Sequence, residues 1–496
     1  MKQGVSPLPA PLAPEPGAGR AGHSARLCAG LIVRLVVTRI VRLVTRLTTV
    51  LAMPGAVTRG FVPSRLVLPV VAAFVLSGLL PPGGLPWGNA AQAAQKPIQY
   101  VVHGSSERID AYRAVFDRFT AETGIPVEIQ VTGSQQEKWD KVLVNVAGGV
   151  SPDIVGGVSV EFAEFAMIGL LLPLDDLIRR DGLDLAELVP PFVEALQLDG
   201  AQYLLPYGGS LLAMFYNRDH FNEAGLAPPP TEWNTPEWTY DAFVETARKL
   251  TVQNPNGSVA RYGVSGRYWD SWITLPYPFG GRWISDDLTT FLGTEPEAVA
   301  SLQSLQDLIH VYQVMPNAGA TTGFFNGTAA MGGFGTWYLQ SLVQRPEINW
   351  SFMPWFRVKE TTRAAMNPIG STILASSDNI ENAWKLVKYL TWNEEANRDY
   401  AIAAGAIPSL TLNLPTWRSY WETIAGPDIN TQVVIDQAVS HGAIIQIRKS
   451  PAFWRINEIM NSAANQVLAN RKPASIALGE VAPQIQNLID DARKFN

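Results

Sequence analysis

Residues 199–226, DGAQYLLPYGGSLLAMFYNRDHFNEAGL, constrain the fold more than any other stretch of the chain. A turn at Asp199-Gly200 opens a short apolar run, and Pro206 is expected to exclude a helix or a central strand there. After the flexible Gly208-Gly209-Ser210, the apolar and aromatic residues 211–216 favour a buried strand. The backbone therefore leaves one element and enters another. This predicts either a crossing between two packed units or an ordinary strand–turn–strand within one domain.

Composition limits the class of protein. The chain has 496 residues and is 47% hydrophobic, which is enough for sizeable cores and for two or three domains. Nine of its 38 basic residues and one of its 44 acidic residues precede residue 95, so the remainder carries 29 bases and 43 acids. So acidic a body is a poor candidate for binding nucleic acid. The only cysteine, Cys28, lies in the N-terminal segment. We therefore expect no disulfide or thiolate metal site in the body, and no metal or cofactor.

The N-terminal region, residues 1–94, has the pattern of an export signal. Arg59 and Arg65 precede the apolar residues 66–80, and a small-residue motif of the cleavage-site type follows at Ala91-Gln92-Ala93. The apolar run is 15 residues long, shorter than the roughly 20 that span a bilayer. We expect a periplasmic or other extracytoplasmic protein, with an uncleaved membrane anchor as the alternative.

A second methionine stands where a signal peptide would begin, at Met53. Residues 1–52, which are rich in proline and then studded with arginine, are therefore interpreted as an upstream extension from a misassigned start. The alternative is a basic amphipathic segment that lies on a membrane surface.

The first part of the body predicts alternating strands and helices. Strand-like segments at 97–103, 126–131 and 153–155 are separated by single helices. This order predicts a mostly parallel sheet with helices on its faces, in which ligands lie beyond the carboxyl ends of the strands. The polar side chains after the first and third strands are therefore candidate ligand contacts: His103, Ser106, Glu107, Ser159 and Glu161.

Several motifs carry a family resemblance in a consistent order and spacing. They are DG-x-x-Y-x-x-P and YN-[KR]-D-x-F-x-x-AGL within 199–226, F-x-x-x-TGI-x-V at 119–127, G-x-x-PD-[IV] at 149–154, GLL-x-PL at 169–174, AAM followed by G-x-W at 329–337, AW-x-x-[VI]-K-[YF]-L at 383–390 and G-x-x-P at 405–408. Together they cover about residues 97–490. The chain resembles the extracellular solute-binding proteins of ABC importers, in the carbohydrate-binding, maltose-binding-protein-like group.

This resemblance implies an α/β fold of the type II periplasmic-binding-protein class, with two lobes and a ligand cleft between them. Each lobe is expected to be a mostly parallel sheet flanked by helices. Three crossings, near 208, 368 and 405, would divide the chain into an N-terminal lobe of residues 95–208 and 368–404 and a C-terminal lobe of residues 209–367 and 405–496. The expected partners are a sugar or oligosaccharide and the transmembrane permease subunits of an ABC importer, and the protein is expected to be a monomer.

The sequence lacks the common catalytic motifs, since it contains no Walker phosphate loop, GxSxG elbow or HExxH helix. A secreted, acidic and aromatic-rich body suits sugars, whose rings stack on aromatic faces and whose hydroxyls bond polar groups. One interpretation is a binding protein that closes on its solute by hinge motion. The other is a secreted glycan-active enzyme, which needs two cleft carboxylates about 5 to 10 Å apart. No carboxylate pair ends two predicted strands, and the family resemblance implies the first interpretation. Mostly on that resemblance, we predict a binding protein and not an enzyme.

We predict a sugar or oligosaccharide as the ligand, with a polyol or a glycerol-phosphate-type solute as the second choice. The acidic body argues against a strongly anionic ligand, although a single arginine such as Arg267 can suffice to bind one. The family often has Asp, Lys, Trp or Arg where this chain has Ser106, Glu107, Gly157 and Glu161. That departure leaves the particular sugar open.

Trp337 is the predicted stacking platform for the sugar. The glycines between 332 and 335 let the backbone approach closely and aim the indole, and the family's G-x-W places a tryptophan against the sugar ring. The alternative is that Trp337 fills the lobe core. The further predicted contacts are Trp454, Trp269, Tyr207, Tyr277 and Gly335.

Overall fold

The computed structural model describes residues 95–266, 271–317, 323–360 and 362–493. The predicted export signal in residues 1–94, including the extension 1–52, lies outside the described residues. Within them, no helix combines the length and apolar character needed to cross a membrane. The same part of the chain contains no group of three or more His, Cys, Asp or Glu that could hold a metal ion.

The strands in chain order are β1 (Ile98–His103), β2 (Val127–Thr132), β3 (Ile154–Val158), β4 (Gln197–Leu198), β5 (Ala201–Gln202), β6 (Leu205–Asn217), β7 (Val252–Gln253), β8 (Val259–Val264), β9 (Ala329–Gly335), β10 (Trp350–Met353), β11 (Ala364–Ile373), β12 (Ile407–Pro408) and β13 (Gly442–Ile444).

The α-helices are α1 (Ser106–Thr123), α2 (Gln135–Ala147), α3 (Ala163–Met167), α4 (Asp175–Asp181), α5 (Pro190–Ala195), α6 (Arg218–Glu223), α7 (Tyr240–Leu250), α8 (Pro296–His310), α9 (Leu339–Val343), α10 (Ile380–Trp392), α11 (Glu394–Ala404), α12 (Leu414–Ala425), α13 (Thr431–Asp436), α14 (Phe453–Leu468) and α15 (Ala474–Arg493). Short 3₁₀ segments include Val160–Phe162, Tyr277–Phe279, Thr336–Tyr338 and Gln446–Lys449.

The first two strand–helix units form as their sequence patterns predict. β1 pairs in parallel with both β2 and β3, and α1 and α2 connect these strands. α1 buries one apolar face, including Tyr112, Phe116 and Phe119. The helix ends at Gly124, which has a φ of 72°. Glycine adopts this left-handed conformation without strain. The parallel sheet therefore brings the loops that follow β1 and β3 to one edge.

One curled sheet connects the two halves of the body in the order β2-β1-β3-β11-β6-β9-β8-β7. The first half of β6 pairs with β11, from Leu205 opposite Ser371 to Leu211 opposite Met366. Its second half pairs with β9 and β10. β6 and β11 therefore run from one half of the sheet into the other.

The expectation that Pro206 excludes a central strand is wrong. β6 is continuous over 13 residues, and Pro206 is its second residue. Pro206 lies opposite Gly370, where the register between β6 and β11 shifts. Proline is tolerated near the start of a strand and at a bulge because no regular ladder bond needs its missing N–H.

The buried apolar residues form separate clusters on either side of these crossing strands. Tyr207 and Ile369 pack with β1, α1 and α10. Beyond the crossing, Met214 packs with α7, α8, α14 and α15. Neighbouring residues of β6 thus belong to different cores, which is the physical basis for two lobes that share their connecting strands.

Candidate ligand-binding cleft

The end of β3 is shaped by two glycines. A Cβ on Gly156 would lie 1.8 Å from the Tyr100 hydroxyl, so only glycine fits there. Gly157 has a φ of +60°, and its N–H donates to the Tyr207 hydroxyl at 2.7 Å. This backbone turn leads into the 3₁₀ segment Val160–Phe162. We call residues 156–161, which are the end of β3 and the segment that follows it, the β3 loop; it carries the predicted contacts Ser159 and Glu161.

A buried lysine holds the β3 loop from below. Lys138 has no exposed surface, and its Nζ donates to the carbonyl oxygens of Gly156 and Gly157, each at 3.1 Å. Burial lowers the pKa of Lys138 to about 8, and nearby Glu161 partly opposes this shift. Lys138 therefore places a buried ammonium group against the backbone of the β3 loop, where it interacts with Glu161.

Asn367, on β11, joins the β3 loop to the other half of the body. Its Oδ1 accepts a hydrogen bond from Ser159 Oγ at 2.7 Å and one from Arg448 Nη1 at 3.0 Å. The Ser159 N–H donates to Glu161 Oε2 at 3.2 Å. Three segments therefore meet at one carboxamide oxygen: the β3 loop, the crossing strand β11 and the 3₁₀ segment Gln446–Lys449.

Arg448 adds a partly buried cation beside Asn367. Burial lowers the pKa of its guanidinium, and the Glu161 carboxylate opposes that shift. Its Cζ lies 5.8 Å from the centre of the Phe453 ring, while its Nε is buried without a hydrogen-bond partner. The neighbouring Lys449 donates to the carbonyl oxygen of Gln197 at 3.2 Å, a second polar bond between distant segments.

Tyr277, another predicted contact, lies beside Arg448. It is 7% exposed. Burial raises the pKa of its hydroxyl, whereas a hydrogen bond to the backbone of Gln446 and the charge of Arg448 lower it. Ser159, Glu161 and Tyr277 are thus the predicted residues that the structure gathers around Asn367 and Arg448.

The predicted contacts after β1 lie at the start of α1. Ser106 and Glu107 are exposed, and His103 is partly buried. The pKa of Glu107 is lowered, first by a hydrogen bond with its own backbone N–H and then by Ser105. His103 Nδ1 lies 3.0 Å from the carbonyl oxygen of Thr132. These contacts are local to β1, β2 and the start of α1, so they do not tie this group to the β3 loop.

Tyr207 lies beneath the β3 loop. It is fully buried, and its hydroxyl bonds Tyr112 and accepts the N–H of Gly157. Its ring packs edge-on against Tyr400 at 4.9 Å. In this arrangement Tyr207 supports the loop that carries Ser159.

Trp337 follows β9 and is partly buried. A Cβ on Gly335 would lie 2.1 Å from the Trp337 ring. A Cβ on Gly405 would lie 2.6 Å from the carbonyl oxygen of Thr336 and 3.0 Å from the Cα of Trp337. Gly335, at the end of β9, therefore packs against the Trp337 ring, and Gly405, at the predicted third crossing, packs against its backbone.

The other tryptophans differ in their surroundings. Trp454 is partly buried, with its ring 5.1 Å from that of Phe453. Trp269 and the candidate arginine Arg267 lie outside the described residues. Trp272 and Trp283 are each 1% exposed, and their rings meet at 5.5 Å, so they belong to a core.

Sequence reasoning misses Lys138, Arg448 and the role of Asn367. The sequence indicates Asn367 only as a neighbour of the second crossing. The pair Arg448-Lys449 just before Phe453 is a usable signal, since it is a compact basic pair in an acidic body. No local pattern indicates that Lys138 is buried, because its neighbours on α2 are largely polar.

The fold and the cleft define a class of protein. The sequence profile of the bacterial extracellular solute-binding proteins matches residues 104–397, and the chain belongs to this family.

Comparison with known proteins gives relatives of the same kind. A maltotriose-binding protein of Pyrococcus abyssi is 27% identical over 363 residues, which cover 70% of this chain and 73% of the relative. An ABC substrate-binding protein from Listeria monocytogenes, solved in complex with cycloalternan, has a TM-score of 0.66 at 22% identity and covers 81% of this chain and 99% of its own. The sugar-binding protein MalE from Xanthomonas citri has a TM-score of 0.67 at 18% identity and covers 81% of this chain and 99% of its own. These likenesses confirm the predicted two-lobed α/β fold.

Proposed function

We propose that the protein is the extracytoplasmic solute-binding component of an ABC importer, which captures a sugar or oligosaccharide between two hinged lobes and delivers it to the permease. The observation that carries this proposal is the meeting of Ser159, Asn367 and Arg448 at one crossing strand. These polar groups come from distant segments at the point where the sheet passes between two cores. A hydroxylated ligand held there would bond both lobes at once. Membership of the solute-binding family supports this function, and the maltotriose-binding relative supports a sugar.

We assign residues 95–208 and 368–404 to the N-terminal lobe and 209–367 and 405–496 to the C-terminal lobe. The change of core between Tyr207 and Met214 along β6 supports the first boundary. The change of partner along β11, from β13 at Met366 to β3 at Gly370, supports the second. Closure would then bend a few residues of the crossing strands.

Within the cleft we assign hydroxyl recognition to Ser159, Glu161 and Tyr277, with Trp337 as the stacking platform and Trp454 as its companion. The preformed bonds of the β3 loop support the polar part of this assignment, because such bonds lower the entropic cost of binding. His103, Ser106 and Glu107 are assigned to the rim, where exposed groups at the start of α1 can meet the end of a longer oligosaccharide. Trp269 stays a prediction.

The charges around Glu161 favour binding over glycoside hydrolysis. A glycosidase places a second carboxylate near the first. Here burial lowers the pKa of both Lys138 and Arg448, and the Glu161 carboxylate opposes both shifts, so it interacts with two cations. That arrangement suits a fixed hydrogen-bond acceptor.

We also propose that residues 1–94 direct export to the periplasm or another extracytoplasmic site and that the protein acts as a monomer. The apolar residues 66–80 with their basic and small-residue flanks support export. N-terminal sequencing of the secreted protein tests cleavage after Ala93, and retention in the membrane would favour the anchored alternative.

The proposed function is tested by calorimetric titration of the purified protein with maltotriose and other sugars, together with incubation of the protein with chromogenic glycosides. We expect a sugar to bind without turnover. Release of the chromophore would establish the enzyme alternative.

A further inference from the structure

Arg448, which bonds the crossing strand β11 at Asn367, has one guanidinium N–H, that of Nε, without a hydrogen-bond partner. Arg448 Nη1 is engaged by Asn367 at 3.0 Å. Its Nε is buried and has no hydrogen-bond partner. A buried donor without a partner is rare in folded proteins, and it is destabilising, more so when the group is charged. The bond to Asn367 fixes the guanidinium plane while leaving the Nε donor unsatisfied.

Arg448 shares its neighbouring carboxylate, Glu161, with a second cation. Glu161 is the carboxylate that acts on both Lys138 and Arg448, and Arg108 adds a third cation near Lys138. Lys138 is fully buried and donates hydrogen bonds to two carbonyl oxygens of the β3 loop. Two cations therefore share one carboxylate here, in a chain whose formal net charge is −6.

A planar guanidinium recognises carboxylates and phosphates through two neighbouring N–H groups, and such paired, charge-assisted bonds are about twice as strong as neutral ones. A neutral sugar hydroxyl can accept a bond from Nε but adds no anion to Glu161, the carboxylate that Arg448 shares with Lys138. An acidic group satisfies the donor and supplies a second anion for these two cations.

We propose that Arg448 is a specificity-determining residue that selects a sugar-class ligand bearing an acidic group, a carboxylate or a phosphate. This inference rests on the proposed function and revises the expectation that the acidic composition disfavours an anionic ligand. Composition averages over the whole surface, whereas binding depends on the few charges that line the cleft.

The test compares matched solutes on the full chain by thermal shift at millimolar concentration, followed by calorimetry on those that bind. The panel is glucose with glucuronate, glucose with glucose 1-phosphate, and maltotriose as a neutral oligosaccharide. We expect at least one acidic member to bind about tenfold more tightly than glucose, which corresponds to about 1.4 kcal/mol. The two acidic arms distinguish a carboxylate from a phosphate.

Variants connect the preference to Arg448. Arg448→Met keeps much of the side-chain volume. We expect this variant to bind the acidic and the neutral members of the panel with equal affinity. Arg448→Lys keeps the charge without the two-donor edge and should give an intermediate ratio, which also covers the case that Arg448→Met does not fold. Arg471→Met is the matched control, because Arg471 is an exposed arginine between α14 and α15, and this change should leave the preference as it is in the wild type.

The outcomes separate the two proposals. If neutral sugars bind and the acidic members bind no better, or if the preference survives in Arg448→Met, the inference is overturned and the proposed function stands. Binding of no member of the panel would overturn both. Loss of the preference in Arg471→Met would also overturn the inference, because it would tie the preference to overall positive charge and not to Arg448.

Discussion

Gly335 and Trp337 fit together so closely that a methyl group on the glycine would lie 2.1 Å from the indole ring. A real Cβ cannot approach so near, so either the ring or the end of β9 would have to move. The glycine thus sets the orientation of the tryptophan that we assign as the stacking platform.

Trp337→Ala should weaken sugar binding while preserving the fold, because the side chain is partly exposed. The loss should be at least about 0.5 to 1.5 kcal/mol from aromatic stacking, plus the lost buried area. Calorimetry measures affinity and urea unfolding measures stability. The matched control is Trp417→Ala, since Trp417 is fully buried and its removal should cost about 3 to 5 kcal/mol of stability. Equal destabilisation by both variants would identify Trp337 as a core residue.

Gly335→Ala should also reduce affinity, by displacing the Trp337 ring rather than removing it. We expect Gly335→Ala to weaken binding in the wild type but to have little further effect on binding in the Trp337→Ala variant, because the two changes act on one ring. Gly479→Ala is the control: it lies in α15 with no atom within 4 Å of its Cβ position. That change should be neutral or stabilise by about 0.5 to 1 kcal/mol. Additive effects of Gly335→Ala and Trp337→Ala would contradict this coupling.

Lys138 should make stability depend on alkaline pH. Its pKa in the fold, about 8, lies below the ordinary value of 10.5, so between these values the unfolded chain holds the proton that the folded chain has lost. The free energy of unfolding should therefore rise with pH across this window, by up to about 3 kcal/mol from this group. This gain in the free energy of unfolding is fully present above pH 10.5, the ordinary pKa of lysine. It is lost as the pH falls through about 8, the pKa of Lys138 in the fold.

Urea unfolding at a series of pH values from neutral to strongly alkaline measures this effect as the difference between wild type and Lys138→Met. The variant should lack the rise. Lys141→Met, a partly exposed lysine on the same helix, controls for the general loss of a positive charge. A difference between wild type and Lys138→Met that does not change with pH would disprove the assignment.

Ser159 and Asn367 should be energetically coupled, because their hydrogen bond of 2.7 Å joins the β3 loop to the crossing strand. A double-mutant cycle with Ser159→Ala and Asn367→Ala should give a coupling energy of about 0.5 to 1.5 kcal/mol in urea unfolding. Ser151→Ala is a matched serine control whose hydroxyl bonds Ser376 instead. Additivity of Ser159→Ala and Asn367→Ala to within about 0.3 kcal/mol would show that the bond contributes nothing measurable.

Local sequence patterns predicted much of the fold. The apolar spacing in α1, with Tyr112 and Phe119 on one face, and the glycine at 124 that ends it are short-range features, so they appear in the sequence directly. The prediction that Pro206 excludes a central strand is wrong, because the strand accommodates the proline at a register shift opposite Gly370. That shift is a property of the pairing between two distant strands and has no local signal.

The site was harder to predict for the same reason. Ser159 and Glu161 follow a recognisable strand, whereas the partners that organise them come from residues 138, 367 and 448. Lys138 carries the charge of a surface residue, and only the packed fold shows that it is fully buried. Asn367 forms hydrogen bonds with Ser159, which is 208 positions away in the chain, and with Arg448, which is 81 positions away. Contacts between such distant positions can be recognised only once the topology is known.

The most direct measurement of the central claim is a thermal-shift titration of the full chain with maltotriose and a panel of sugars, sugar acids and sugar phosphates. A ligand at 100 times its Kd should add about 2.7 kcal/mol to the free energy of unfolding. The account predicts that at least one member raises the melting temperature in a saturable way and that Trp337→Ala weakens this response. A melting temperature that no member of the panel changes would contradict the assignment of this cleft to sugar capture.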